Sequence, residues 1–296
     1  MRKTVVHAWT QGASNLPQTA RANYWGIGDL LRGSNVLFEI CKEIDADYVL
    51  DISSHPIGAL FAGSQTDRST ERSVPFHAFK NFDDGKSLVK SLLDVDDRII
   101  INTNGGPTWP EQSSPAWKEL IKQAFCPTPE FEADLSGFIP KAPYSVMHFR
   151  LGDKTLVQKK SIAVDEAISI FSNNSDRNKV VISDSEQLKA RLRLVDHDAY
   201  ISEARTVHTG LAAGGPELSQ TMADFFLISR ATSVETYSAY PWPSGFIVAA
   251  CRIYDVPFRC LSLEQEKPSR WRVLALSLFQ VMPMQSWLLA IRRIVR

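Results

Sequence analysis

The stretch Tyr144-Ser145-Val146-Met147-His148-Phe149-Arg150-Leu151-Gly152-Asp153-Lys154 decides how the rest of the chain is read. Residues Tyr144 to Phe149 are aromatic, β-branched or apolar enough to predict a strand. His148 and Arg150 stand two apart, so they share one face at the strand's carboxyl end, while Leu151 points the other way, into the core. Gly152 permits a sharp exit. An arginine at that end suits a phosphate, because guanidinium offers two N–H groups in a fixed fork. The rival reading is a surface pair of Arg150 with Asp153, beside a structural histidine.

Outward from this strand, short β-branched runs alternate with amphipathic stretches, which is the α/β pattern. Downstream, Val164 to Phe171 reads as a helix, Lys179 to Ser183 as a strand ending at Asp184, and Glu186 to Leu194, Ser219 to Arg230 and Ser244 to Tyr254 as helices. Upstream, Val5 to Trp9, Tyr48 to Ile52 and Arg98 to Asn102 read as strands. Asp29 to Ile44 and Ser114 to Phe125 read as helices. Pro140 and Pro143 interrupt the chain just before Tyr144, and each disfavours helix in the residue before it. The expected division is therefore 1–140, 141–268 and a C-terminal segment 269–296. Two α/β halves facing a central cleft would bind a ligand beyond the carboxyl ends of their strands.

The 296 residues carry 33 Lys+Arg against 33 Asp+Glu, so no basic excess points to nucleic acid. Cys41, Cys126, Cys251 and Cys260 have no CxxC spacing, which argues against a disulfide scaffold or a structural zinc site and fits a reducing, cytoplasmic compartment. The N-terminal MRKTVVHAWTQGASN holds no long apolar run of the signal-peptide kind. From Arg270 onward the chain reads RWRVLALSLFQVMPMQSWLLAIRRIVR, with five arginines and no acid. Pro283 breaks it into two short helices. Three readings stay open: a closing helix pair on the core, an interfacial segment whose arginines meet anionic lipid at the inner membrane face, or a membrane span.

A second candidate is Gly26-Ile27-Gly28-Asp29-Leu30-Leu31-Arg32-Gly33, placed between a strand and a helix. Its glycines let the backbone approach a ligand, and the helix start offers free N–H groups to an anion. Asp29 is either the N-cap of that helix or a cleft carboxylate able to act as a base. Leu31 stands where a GxGxxG would have its third glycine. A dehydrogenase reading would need that glycine and an acid about 20 residues on, for which Asp51 is a loose match. His55, His208 and the tryptophans Trp109, Trp117, Trp242 and Trp287 are further candidates to line the cleft or stack on sugars. For each the competing role is structural. No Gly-x-Ser-x-Gly elbow, HExxH or DxD is present.

His148-Phe149-Arg150-Leu151-Gly152-Asp153 resembles the H-x-R-R-G/T-D motif of the fucosyltransferase superfamily that includes bacterial α1,2- and α1,6-fucosyltransferases and protein O-fucosyltransferases. Gly26-Ile27-Gly28-Asp29 resembles that family's G-x-G-N loop. Val180 to Asp184 resembles its strand ending in S/T-D, and Asp224 to Ser229 its D-x-x-L-M-S helix. Ser244 to Ala250 resembles its S-S-F-S stretch, with Ser238 as a competing match because Tyr237 to Pro243 reads as an insertion. The second arginine of the motif is Leu151 here.

The resemblance implies a GT-B fold of two Rossmann-like domains, with no resident cofactor and GDP-fucose as donor substrate. It implies that Arg150 contacts the β-phosphate and steadies departing GDP, and that His148 and Asp184 contact guanine or ribose. Ser244, Gly245 and Phe246 would hold phosphate, Gly28 would line the donor site, and Asp29 would be the acceptor base. It implies metal-independent transfer with inversion to a glycan hydroxyl; an interfacial C-terminal segment would make a lipid-linked glycan the expected acceptor. The alternatives are another GT-B transferase of heptosyltransferase type and a non-catalytic nucleotide- or glycan-binding module.

Overall fold

The computed structural model describes residues 2–10, 26–63, 74, 76–106, 113–152, 160–174, 178–197, 199–204, 216–239 and 243–261. The described residues belong to one compact unit, Met1–Leu261. The arginine-rich C-terminal stretch, the expected segment 269–296, and Trp109, Asp153, His208, Trp242 and Trp287 lie outside the described residues.

The amino-terminal half runs β1 (Thr4–Ala8), α1 (Ile27–Glu43), β2 (Asp47–Asp51), a 3-10 turn (Pro56–Leu60), α2 (Phe82–Leu93), β3 (Arg98–Ile101), α3 (Pro115–Ala124) and α4 (Pro129–Phe138). Its three strands are parallel, in the order β2-β1-β3, with Val6 opposite Val49 and Ile100. Local chemistry sets the helix starts. The side chains of Asn81, Ser114 and Thr128 accept the N–H of Asp84, Trp117 and Phe131, and proline opens both α3 and α4.

The carboxyl-terminal half runs β4 (Ser145–Arg150), α5 (Lys160–Asn173), β5 (Lys179–Ser183), α6 (Glu186–Val195), β6 (Tyr200–Ile201), α7 (Pro216–Ser229), β7 (Val234–Ser238), α8 (Gly245–Tyr254) and β8 (Phe258–Cys260). All five strands are parallel, in the order β6-β5-β4-β7-β8. The chain enters at the centre, fills one side, then returns to fill the other. The order therefore reverses between β4 and β7, and a crevice opens there at the carboxyl ends. Alternation along β4 serves two cores: Val146 packs with Val180, Ile182 and Val234 on one face, and Met147, Phe149 and Leu151 pack with Val181 and Tyr237 on the other.

The first of these cores crosses between the halves. Trp9, Leu30, Phe61, Trp117 and Phe125 share it with Met222, Phe225, Phe226 and Ile247. Phe125 meets Phe225 at 6.3 Å between centroids, and Phe131 meets Phe226 edge-on at 6.0 Å. Such aromatic pairs contribute roughly 0.5–1.5 kcal/mol each beyond area burial. The division expected after residue 140 falls between α4 and β4, and the shared core spans it.

Three expectations need correction. Helix α1 begins at Ile27, two residues before Asp29, and its N-cap is Gly26, so Asp29 sits in the first turn. Tyr237 and Ser238, read as part of an insertion, are the last residues of β7. Helix α5 starts at Lys160, ahead of the expected Val164. Helices α2 and α4 were not among the expected elements. No helix of the described residues is long and apolar enough to cross a membrane.

Candidate active site

Arg150 is the last residue of β4 and pairs in register with Ser238, the last residue of β7. It therefore stands at the reversal point of the strand order. Its Nη1 donates to Ser244 Oγ at 3.4 Å. Ser244 is the buried N-cap of α8, yet its side chain makes no capping bond to the helix. The first N–H groups of α8 thus lack a side-chain cap beside a guanidinium, an arrangement that favours an anion.

The exit from β4 is tied down by Asp184. Its Oδ1 accepts the N–H of Leu151 at 2.9 Å, and its Oδ2 accepts that of Gly152 at 3.1 Å. Gly152 has φ +77°, a conformation that glycine adopts without steric cost. Ser183 Oγ adds a bond to Phe149 O at 2.9 Å. Leu151 turns into the core, as the strand alternation predicts. Both Asp184 oxygens are engaged by backbone, so this carboxylate orders the turn that follows Arg150. The resemblance had implied a nucleotide contact for it.

His148 lies two residues before Arg150 on the same face, buried, with Nδ1 3.0 Å from Thr236 Oγ1. Burial, helped by the charge of Arg150, pushes its pKa down to about 3, so the ring is neutral at physiological pH. Phe246 turns its ring onto Phe225, edge-on at 5.6 Å, leaving its backbone to face the α8 start.

Gly28 and Gly245 bring the halves together. A Cβ on Gly28 would lie 2.5 Å from the carbonyl carbon of Gly245 and 2.8 Å from the nitrogen of Phe246. Helix α1 follows β1 and helix α8 follows β7, so the carboxyl ends of both sheets meet at this contact. Gly28, expected in the donor site, is consumed by backbone packing that no other residue permits. Asp29, in the next position, pairs its Oδ1 with Arg32 Nη2 at 2.7 Å, and Arg32 Nε donates to Asn104 O at 2.8 Å.

Other candidates resolve as structural. His55 stacks on Trp9 at 3.7 Å and 8° and accepts the Ile57 N–H through Nδ1. Trp117 is buried in the shared core, its Nε1 donating to Ser34 Oγ at 3.0 Å. One residue that the resemblance left without a role stands out. Asp51, the last residue of β2, is 1% exposed and its Oδ2 has no hydrogen-bond partner. The signal available in the sequence was an acid closing the apolar run Tyr48-Val49-Leu50. All four cysteines are free. Among the described residues, no three His, Cys, Asp or Glu side chains gather as a metal site.

Against known proteins, no family model matches the chain and no curated protein matches its sequence. Solved structures do match. The α1,6-fucosyltransferase NodZ, in crystals soaked with GDP-fucose, is 15% identical, with 91% of this chain and 98% of that one covered at a TM-score of 0.54. The selenomethionine form of NodZ from Bradyrhizobium is 14% identical over 91% and 97%, also at 0.54. NodZ co-crystallised with GDP is 14% identical over 84% and 92%, at 0.51. The chain has the NodZ fold. The expected α/β, GT-B-like architecture is therefore the observed one.

Proposed function

We propose that the chain is an inverting, metal-independent glycosyltransferase that moves fucose from GDP-fucose to a hydroxyl of a glycan or lipid-linked glycan at the cytoplasmic membrane face. The observation that carries this reading is Arg150, held at the β4/β7 reversal point against the start of α8. The shared fold with NodZ, solved with GDP-fucose and with GDP, supports the choice of nucleotide.

In this reaction the acceptor oxygen bonds to the anomeric carbon while the bond from that carbon to the β-phosphate breaks. The electron pair leaves with GDP. Negative charge therefore grows on the phosphate, and a fixed cation with preorganised N–H donors lowers the barrier. Arg150 supplies the cation, and the N–H groups of Gly245 and Phe246 with the Ser244 hydroxyl supply the donors. Asp184 and the neutral ring of His148 form the wall beside them. Asp29 takes the acceptor proton, in a role that competes with its bond to Arg32.

The test is release of GDP from GDP-fucose in EDTA, with UDP-sugars as controls and the anomeric configuration of the product read by NMR. Turnover of GDP-fucose that Arg150→Ala removes supports the proposal. Turnover of a UDP-sugar instead points to another transferase of this fold. Tight GDP binding with no turnover points to a non-catalytic binding module, a reading to which Leu151 in the core lends weight.

A further inference from the structure

The small sheet ends in three buried polar side chains that the donor site does not use: Thr10 after β1, Asp51 closing β2 and Asn102 after β3. Asn102 Nδ2 donates to Thr10 Oγ1 at 3.0 Å. Asp51 Oδ1 accepts both the N–H and the hydroxyl of Ser53, at 2.9 and 2.6 Å, which closes a local turn. That turn needs one oxygen only. The second, Oδ2, is buried and accepts from nothing. Removing a charged acceptor from water without giving it a donor costs its full desolvation, so such an oxygen persists where something else later supplies the donor.

Strand β2 pairs with β1, the strand before α1, and Gly28 of α1 touches Gly245 of α8, beside the Ser244 that Arg150 reaches. The missing group must donate hydrogen bonds to a carboxylate, and the hydroxyls of a sugar do so. Asp29, with Oδ1 on Arg32, keeps the separate task of taking the acceptor proton. We propose that Asp51 is the acceptor-binding carboxylate, its Oδ2 accepting a hydroxyl of the incoming sugar and thereby orienting it towards the donor. This rests on the glycosyltransferase reading above. Asp51 is a positioning residue and carries no proton in the transfer.

Saturation-transfer NMR tests it on the full chain with saturating GDP, using the methyl glycosides of glucose, galactose and N-acetylglucosamine as probes. Asp51→Asn keeps an oxygen for Ser53 and replaces Oδ2 by an amide nitrogen. Asp51→Ser is the second variant, should the first not fold. Ser53→Ala disturbs the same turn and leaves Oδ2 in place. The expected result is transfer to at least one glycoside in the wild type and in Ser53→Ala. At least one Asp51 variant loses about tenfold in glycoside affinity while GDP affinity is unchanged. Equal glycoside binding by the Asp51 variants, or none by the wild type, overturns the proposal. Loss of GDP binding with glycoside binding intact would strike the donor reading and leave Asp51 standing.

Discussion

The two sheets end in opposite electrostatic conditions. At the carboxyl end of the large sheet nearly every polar group already has a partner: Asp184 holds two backbone N–H groups, His148 meets Thr236, and Arg150 reaches Ser244. At the end of the small sheet, Asp51 keeps a buried oxygen with no donor. The difference teaches how a crevice divides its work. A site that must receive growing negative charge gains from donors fixed in advance, because they need not reorganise during the reaction. A site that must recognise a neutral, hydroxyl-rich ligand keeps an acceptor in reserve and lets the ligand complete it.

Breaking the preorganised side gives the largest expected effect. Arg150→Ala should lower kcat for GDP-fucose by about 10²–10³, the scale of losing one transition-state donor. Arg150→Lys keeps the charge without the fork and should fall between. These are read by steady-state GDP release. Next comes the contact that joins the sheets. Gly28→Ala drives a Cβ into backbone and should cost about 1–3 kcal/mol in urea denaturation. Gly245→Ala places its Cβ 3.6 Å from Gly28 Cα, an ordinary contact, and should be tolerated. Equal effects of the two would mean that the helix starts do not meet as described.

Smaller again is Asp184→Asn. Its amide nitrogen cannot accept the second backbone N–H, so the turn after Arg150 loosens. GDP affinity should fall by about tenfold, the worth of one hydrogen bond to a charged group. Calorimetry would show it, and unchanged affinity would remove Asp184 from the positioning of Arg150. A pH dependence separates the two sheets by their buried histidines. Burial lowers His7 to about 4 and His148 to about 3, from 6.5. The folded chain thus binds fewer protons than the unfolded chain across that window. Stability is complete above about pH 6.5 and falls as pH drops towards these values, by about 1.4 kcal/mol per pH unit for each histidine. Replacing His148 with Gln should reduce that slope, as seen by comparing denaturation at pH 7 and pH 5.

The placement of His148 and Arg150 was legible because it is local. An alternating strand that ends His-Phe-Arg-Leu-Gly fixes which side chains share a face, and β4 shows that division between its two cores. The parallel α/β pattern followed from the same runs. The tasks of Gly28 and Asp184 were not legible, since each depends on a partner far along the chain: Gly245 for one, the Leu151 and Gly152 backbone for the other. No periodicity encodes such pairs. Strands β6 and β8 span two and three residues, too short to carry a pattern. Asp51 was weighed only as a loose match to the acid of a dinucleotide fingerprint, and only the fold shows that its turn uses one of its two oxygens.

The measurement that bears most directly on the central claim is calorimetric titration of the full chain, in metal-free buffer, with GDP, GDP-fucose and UDP. The account predicts selective binding of GDP and GDP-fucose by the wild type, abolished in Arg150→Ala with the fold intact. Absence of guanine-nucleotide binding, or binding that survives Arg150→Ala unchanged, would contradict it.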